Sequence, residues 1–264
     1  MRIAVVQMTS RPGDKDANLR TAASWLETVA GTAEIACLPE TFEVGYDLAS
    51  LGERLVELAE VVPGPTTEAL AELARRFGLG LVAGVLERDP HVPEVLYDTA
   101  VVVSRSGALV GRYRKSHLFP TEHRFFRAGN DLPVFDLDGV RVGVAICFEL
   151  AFPEIFSTLA RRGAQLVLNP SAVPVGYAYL QDLRSRARAQ DNQIYVAAVN
   201  HVGEQGTSTF CGASQIADPR GDVLARAADA EGGVVTAELD LDRIRSERLQ
   251  EPVFRARRPE LYEP

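Results

Sequence analysis

Short apolar runs alternate along the chain with longer segments whose apolar positions recur at helical spacing. The apolar runs predict strands over Ile3–Met8, Glu34–Leu38, Leu79–Leu86, Thr99–Ser104, Leu109–Tyr113, Val134–Leu137, Val140–Cys147, Gln165–Leu168, Ile194–Asn200, Gly212–Ala217, Val223–Arg226 and Gly233–Leu239. The helical spacing predicts helices over Ala17–Ala30, Leu48–Leu58, Thr66–Phe77, Pro153–Arg162, Leu180–Gln190 and Leu241–Leu249. This alternation indicates an α/β protein, whose two strand–helix halves are able to form two sheets covered by helices.

The chain shows no low-complexity linker, repeat or domain boundary, so we expect one domain over residues 1–264. Turns such as SRSG at 104–107 and DLDG at 136–139 join consecutive strands directly, which argues against a purely parallel sheet. Residues from about 250 to 264 have no helical periodicity and are expected to form an extended tail.

Composition narrows the function classes. The chain has 264 residues, 46% of them hydrophobic, which is ample material for a core. The net charge of −8 argues against an extended nucleic-acid-binding surface. Every apolar run falls short of the ~18 residues of a membrane span. The first ten residues, MRIAVVQMTS, lack the apolar core of a signal peptide, so we expect a cytoplasmic protein.

Cysteine and histidine positions give no metal signature. The cysteines at 37, 147 and 211 form neither a CxxC pair nor a disulfide framework. The histidines at 91, 117, 123 and 201 show no HExxH spacing. We therefore expect no metal and no cofactor, although ligands that converge from distant positions stay possible.

Arginine supplies nearly all of the positive charge, and the only lysines are Lys15 and Lys115. Lys15 lies in PGDKDAN, a predicted loop in which an ammonium has no evident task, whereas Lys115 lies in GRYRKSHLF beside arginines. Arginine cannot replace a compact, deprotonatable ammonium in chemistry, so Lys115 is a candidate functional residue. The alternative is a surface lysine left by chance.

Three predicted strands are each followed by a potentially reactive side chain: Glu40, Lys115 and Cys147. Ligand sites of α/β proteins gather outside the carboxyl ends of strands, so neighbouring strands would bring these side chains together. Glu40 would take the proton of the thiol, and Lys115 would favour the thiolate and then stabilise an oxyanion. The backbone N–H of Phe148 is a candidate second oxyanion donor. Such a trio predicts acyl transfer through a thioester.

Each of these residues also has a structural alternative. Cysteine is among the most buried residue types, and Cys147 at the end of a strand is consistent with simple packing. Glu40 could be a solvated loop carboxylate, and His117 or His123 could pair with Cys147 instead. Cys37 and Cys211 lie within predicted strands, and we assign both to packing.

The blocks LPE with Glu40, YRKSHLF with Lys115 and GVAICFELAFPE with Cys147 resemble, in order, those of the nitrilase superfamily. NPSA at 169–172, RARAQDNQIYVAAVN at 186–200 and GASQIADPRGDVLA at 212–225 look like the remaining family blocks, so the resemblance runs nearly full length. The resemblance implies a Glu–Lys–Cys triad and a second glutamate, Glu122, that holds the lysine. It also implies a four-layer α-β-β-α sandwich and a homodimer, with the tail at the dimer interface.

The resemblance implies a hydrolase of non-peptide C–N bonds acting on a small-molecule substrate. We expect a small carboxamide to be cleaved to acid and ammonia; a small aliphatic nitrile or an N-carbamoyl compound is the alternative. A catalytically silent binding protein is the remote alternative. Phe148-Glu149 is closer to the amidase and carbamoylase branches, whereas the short segment between Lys115 and Glu122 is similar to short archaeal-type nitrilases. The candidate oxyanion and substrate-binding residues are Phe148, Phe119, Ala172, Tyr177 and Arg184, with Arg186 as a second possible carboxylate reader; packing or surface charge is the alternative for these side chains.

Overall fold

The computed structural model describes residues 1–262, whose strands form two six-stranded sheets and a separate hairpin. The strands are β1 (Arg2–Gln7), β2 (Ile35–Leu38), β3 (Gly80–Arg88), β4 (Leu96–Val103), β5 (Leu109–Arg114), β6 (Val134–Leu137), β7 (Val140–Val144), β8 (Leu166–Ser171), β9 (Tyr195–Asn200), β10 (Val202–Gln205), β11 (Ser208–Cys211), β12 (Gln215–Ala217), β13 (Val223–Arg226) and β14 (Gly233–Glu238). The first sheet has the order β14-β1-β2-β3-β4-β5, and the second has the order β13-β12-β9-β8-β7-β6. Both sheets are mixed, as the predicted hairpins require.

The described part of the chain forms eight α-helices, of which four cover the outer faces of the sheets. They are α1 (Lys15–Glu27), α2 (Leu48–Leu51), α3 (Arg54–Leu58), α4 (Pro65–Phe77), α5 (Pro153–Arg161), α6 (Ala178–Asn192), α7 (Asp242–Gln250) and α8 (Val253–Ala256). Leu26 of α1 and Leu70 of α4 join the core of the first sheet, while Phe156 of α5 and Ala189 of α6 join that of the second. The four-layer sandwich predicted from the sequence is therefore confirmed.

The inner faces of the two sheets pack against each other in one apolar core. Val5 and Val82 of the first sheet share this cluster with Val142 and Leu168 of the second, and all four are fully buried. Because both faces of the central strands are covered, these strands appear in the sequence as continuous apolar runs. Each fully buried valine or leucine contributes roughly 1.5–3 kcal/mol to folding, so the core fixes the position of the strand ends.

The structure differs from the predicted elements at several places. The strand predicted to reach Cys147 ends at Val144, and the helix predicted over Leu48–Leu58 is broken at Gly52, whose φ is +50°. The hairpin of β10 and β11 was not predicted, because its short polar strands lack an apolar run. Lys15 is not in a loop but opens α1, where it pairs with Glu60.

The C-terminal tail is not simply extended. It forms α8 and a 3₁₀ turn at Pro259–Leu261 after α7. Phe254 packs against the α5–α6 core, and Arg257 Nη2 donates to Ser157 Oγ at 2.5 Å. The prediction of an extended tail over 250–264 is thus wrong for most of it, because these side chains have partners on their own chain; residues 263–264 lie outside the described part.

Candidate active site

Glu40 is held in the turn that leaves the carboxyl end of β2. Its backbone lies against β3, where Gly84 N–H donates to Pro39 O at 3.1 Å and Phe42 N–H donates to Gly84 O at 3.0 Å. A Cβ at position 84 would lie 2.5 Å from Glu40 Cα, so only glycine permits this approach. Thr41, the next residue, has a φ of +42°. The strained backbone of this turn therefore sets the direction of the Glu40 carboxyl group.

Lys115 directly follows β5 and is completely buried. Its Nζ donates to Glu40 Oε1 at 2.6 Å and to Glu122 Oε1 at 2.7 Å. Glu122 stands on a short 3₁₀ turn and also accepts hydrogen bonds from the Tyr46 hydroxyl and, at 2.7 Å, from Phe119 N–H. The structure thus brings together the predicted Glu40, Lys115 and Glu122.

Cys147 begins the 3₁₀ turn Cys147–Ala151, beyond the end of β7. Its φ is +48°, in the left-handed region that L-residues rarely adopt. The backbone of Ala172, directly after β8, acts to lower the pKa of the Cys147 thiol and so favours its thiolate. A strained residue of this kind is typical of a reactive group that the fold must hold in one orientation.

Glu149 connects the Cys147 turn to the segment that carries Lys115. Its Oε2 accepts from Ile146 N–H at 2.6 Å, and its Oε1 accepts from the Tyr113 hydroxyl at 2.6 Å and from Ser116 N–H at 2.8 Å. Burial alone would raise the pKa of this carboxyl, but His117 first, and then the hydrogen bonds of Ser116, Tyr113 and Ile146, hold it below its usual value. Glu149 is therefore an ionised structural link, a role that the sequence did not indicate.

The electrostatics of the site favour a neutral thiol and a charged lysine. Burial raises the pKa of the Cys147 thiol well above its usual value, and the neighbouring Glu40 raises it further. Burial opposes the charge of Lys115, but Glu40 and Glu122 outweigh burial and raise the lysine pKa. Burial also raises the pKa of Glu40, against the effect of Lys115. Cys147 thus needs a base that removes its proton during reaction.

A cavity of about 350 Å³ opens above Cys147. Its wall is mostly apolar and includes Phe119, Phe148, Ala172, Tyr177 and Phe210. The rings of Phe119 and Phe148 meet edge to face, with centroids 5.2 Å apart. All five candidate substrate-binding residues from the sequence, including Arg184, line this cavity. Its size suits a small molecule.

Other residues singled out in the sequence lie elsewhere. His123 is exposed, and His117 places Nδ1 2.9 Å from Ser116 Oγ while its ring packs on Phe152. These contacts favour neither histidine as the base for Cys147. Arg186 is exposed, and its Nε donates to Gly221 O at 2.9 Å. Cys37 and Cys211 are buried in strands.

Three residues near the triad were missed in the sequence. Tyr46 contacts Glu122, and His201 Nε2 lies 2.6 Å from Glu40 O. Asp98, on β4, places Oδ2 3.2 Å from Lys115 Nζ. A signal was present for Asp98, since a carboxylate beside an apolar strand requires a buried partner.

The carboxylates of Glu40, Asp98 and Glu122 lie within 4.8 Å of one another, a donor set that suits a hard cation. The ammonium of Lys115 stands among them at 2.6–3.2 Å and supplies positive charge at that place. The arrangement is therefore that of a buried ion cluster centred on lysine.

A sandwich of this type, with a thiol beside a buried glutamate–lysine cluster, defines a class of hydrolases that act on C–N bonds outside peptides. The profile of the carbon-nitrogen hydrolase family matches residues 2–248. The chain belongs to this family and so to the nitrilase superfamily.

Relatives of both kinds considered from the sequence are found among known proteins. A nitrilase of Pyrococcus abyssi is 37% identical, with 99% of each chain covered. The omega-amidase NIT2 of Homo sapiens is 33% identical over 99% of this chain and 96% of its own. The family is therefore shown over the whole length, while these relatives differ in activity.

Solved structures agree with the fold. Nit3 of Saccharomyces cerevisiae, a nitrilase-superfamily member, has a TM-score of 0.88 at 31% identity and covers 96% of this chain and 94% of its own. A double mutant of the amidase from Nesterenkonia sp. AN1, in complex with acrylamide, has a TM-score of 0.87 at 28% identity and covers 99% of this chain and 95% of its own. Within residues 1–262, none of the helices combines the length and apolar character needed to cross a bilayer.

Proposed function

We propose that the protein is an amidase that cleaves a small carboxamide to carboxylic acid and ammonia through a thioester on Cys147. The observation that carries this proposal is the strained Cys147 at the base of an apolar cavity, beside a buried Glu40–Lys115–Glu122 cluster. The placement offers a nucleophile, a base and a cation at one point.

In the acylation step, Glu40 takes the thiol proton as the sulfur of Cys147 attacks the amide carbon. The carbonyl oxygen becomes an oxyanion, which Lys115 Nζ–H and Phe148 N–H stabilise. Lys115 uses two N–H groups on the glutamates, so its third is free for this task. The intermediate collapses, the C–N bond breaks, and Glu40 returns the proton to the departing nitrogen as ammonia forms.

In the deacylation step, Glu40 takes a proton from water, and the resulting hydroxide attacks the thioester carbon. The carbon–sulfur bond breaks, the acid leaves, and the sulfur of Cys147 receives the proton from Glu40. The backbone of Ala172, which acts to lower the thiol pKa, stabilises charge on the departing sulfur. One water is consumed, one amide is cleaved and the enzyme returns to its first state.

Two kinds of relative support the choice of substrate. A glutamate-to-glutamine mutant of the Nesterenkonia amidase has been solved with the acetamide moiety of fluoroacetamide added covalently at its active-site cysteine. The relatives named omega-amidases lead us to consider omega-amides, which carry a second acidic group. Arg184 in the cavity wall is a suitable partner for that group. Because one relative is named a nitrilase, a small aliphatic nitrile is our second candidate substrate, and an N-carbamoyl compound is the third.

The test is ammonia release from matched short amides, nitriles, omega-amides and N-carbamoyl amino acids. Purified protein is compared with Cys147→Ala, and fluoroacetamide-treated protein is analysed by mass spectrometry. Cysteine-dependent release from amides, with a single adduct on Cys147, supports the proposal. Ammonia release from nitriles alone would identify the protein as a nitrilase. Release that persists in Cys147→Ala would exclude a thioester on Cys147 from the mechanism. Silence throughout, with no adduct, favours a binding protein.

We also propose a homodimer and a cytoplasmic location. Val175 and Tyr177 before α6, and Tyr179 and Leu183 within it, are exposed apolar side chains, with Tyr179 71% exposed. A second copy of the chain, including its tail after residue 250, would cover these side chains. A free thiol nucleophile fits a reducing compartment. Sedimentation of wild type against Tyr179→Asp tests the dimer: an unchanged mass would contradict this interface.

A further inference from the structure

Asp98 is a third buried carboxyl group at Lys115, beside the two glutamates. Its main-chain O accepts from Lys115 N–H at 2.8 Å, and its Oδ2 lies 3.2 Å from Lys115 Nζ. Lys115, Glu40, Asp98 and Glu122 are all fully buried. One ammonium therefore faces three carboxyl groups, where a structure built only for neutrality would need one.

The hydrogen bonds around the cluster are unevenly distributed. Glu122 accepts bonds from Lys115, Tyr46 and Phe119, as an ionised carboxylate requires. Both Asp98 oxygens and Glu40 Oε2 accept no hydrogen bond from the groups described in residues 1–262. Nζ is near Asp98 only as an ion-pair partner, since its N–H bonds are directed at Glu40 and Glu122. Asp98 thus lies near one ammonium and two acidic side chains, and it accepts no hydrogen bond from the described residues.

Three ionised carboxylates around one ammonium would leave two uncompensated negative charges in a dry interior, which is prohibitively costly. The cluster must therefore keep at least one proton. Glu122 has three donors and Glu40 has one, so the proton is least costly on Asp98, which has none. Burial, and next the charge of Glu40, raise the pKa of Asp98 well above its usual value.

We propose that Asp98 keeps its proton and donates a hydrogen bond to Glu40, as a positioning residue that keeps Glu40 ionised and correctly oriented. One oxygen of the Asp98 carboxyl and one of the Glu40 carboxyl lie within 4.8 Å of each other, and Asp98 lowers the pKa of Glu40. The Asp98 proton is not transferred; the bond lets Glu40 stay a base although burial disfavours its charge. This inference rests on the proposed role of Glu40. The titratable and charged groups that face the pair are Lys115, Glu122, Tyr46, Cys147 and, through the Glu40 carbonyl, His201.

Two substitutions separate this role from the alternatives. In Asp98→Asn the amide keeps a neutral donor towards Glu40, so the acid limb of kcat/KM against pH should stay in place and activity should fall by no more than about threefold. In Asp98→Ala the donor is lost, so the pKa of Glu40 should rise and the acid limb should move up by about one pH unit. KM should change little, because Asp98 does not touch the substrate.

Two outcomes would overturn the proposal. An ionised Asp98 would raise the pKa of Glu40 by repulsion, so Asp98→Asn would move the acid limb down rather than leave it in place. If Asp98 only fills space, the acid limb of kcat/KM in Asp98→Ala would stay at the wild-type pH. Thermal unfolding is measured first, because Asp98→Ala could lower stability. Even if that variant does not fold, Asp98→Asn alone distinguishes a neutral from an ionised Asp98.

A spectroscopic arm needs no turnover and therefore stays informative if the proposed amidase function fails. The infrared difference spectrum of wild type minus Asp98→Asn at neutral pH should show the C=O band of a protonated carboxylic acid, with its usual shift in D2O. The exposed Glu57→Gln serves as the matched control and should show no such band. Absence of the band from the Asp98 spectrum would mean that Asp98 is ionised and would overturn the inference.

Discussion

Glu43, in the turn after Glu40, is a buried carboxyl group whose ionisation should make stability depend on pH. Its Oε1 accepts Leu86 N–H at 2.7 Å, while Oε2 has no hydrogen-bond partner among residues 1–262. Burial raises its pKa from 4.5 to about 7, although Lys15 acts in the opposite direction. The folded chain therefore binds this proton more tightly than the unfolded chain does.

The sign and size follow from this difference. Because the folded pKa of Glu43 is the higher one, its full stability is present below pH 4.5 and is lost as the pH rises through about 7. A shift of this size corresponds to about 3 kcal/mol at most. Glu43→Gln removes the titration while keeping an acceptor for Leu86 N–H. Its unfolding free energy should match wild type near pH 4 and exceed it by about 3 kcal/mol at pH 8.

Urea unfolding of wild type and Glu43→Gln at a series of pH values measures this difference. Glu57→Gln, an exposed substitution on α3, is the control and should change stability by less than about 0.5 kcal/mol at every pH. Lys15→Met should enlarge the wild-type pH dependence, because it removes the charge that favours ionised Glu43. A wild-type minus Glu43→Gln difference that is flat from pH 4 to pH 8 would refute the reasoning.

Three further predictions concern the residues that hold the site. Lys115→Arg should lower kcat/KM by about a hundredfold or more, because the planar guanidinium cannot take the place of a compact oxyanion donor; near-normal steady-state kinetics would show that charge alone suffices. Glu149→Gln should lower Tm by several degrees, since its amide would face Ile146 N–H and cost about 1–3 kcal/mol; an unchanged melting curve would count against this link. Gly84→Ala should lose activity, because its Cβ would lie 2.5 Å from Glu40 Cα; Gly233→Ala, with open space around its Cβ, should keep it, and equal activities would contradict the argument.

The strand ends could be predicted because the interior of the sandwich forces apolar runs that stop where the chain leaves the core. β2 ends at Leu38 and β5 ends at Arg114, so Glu40 and Lys115 follow as predicted. The end of β7 was misjudged, because Val144 to Cys147 is equally apolar although the strand ends at Val144 and the backbone reaches a φ of +48° at Cys147. Backbone strain of this kind depends on tertiary contacts and leaves no pattern in the sequence.

Asp98 shows why part of the cluster was missed. The predicted strand began at Thr99 because aspartate disfavours strands, whereas β4 begins at Leu96 and includes Asp98. Pairing with β3 and β5 extends the strand, and Lys115 stabilises the acid inside it. Glu87, on the neighbouring β3, is equally buried but accepts bonds from Thr99 and Arg114. Only the three-dimensional partners distinguish the two acids.

The contrast between Glu87 and Asp98 also indicates where function resides in this fold. Glu87 is a buried charge whose partners satisfy both of its oxygens, so it can be explained by stability alone. Asp98 has a positive neighbour and no donor, and it lies near Glu40, which the positive-φ residue Thr41 directly follows. Buried groups left unsatisfied next to a strained backbone lower stability, and the fold holds them in place through contacts such as those of Gly84 and Glu149. Stability does not account for that combination, and positioning a base and a nucleophile does.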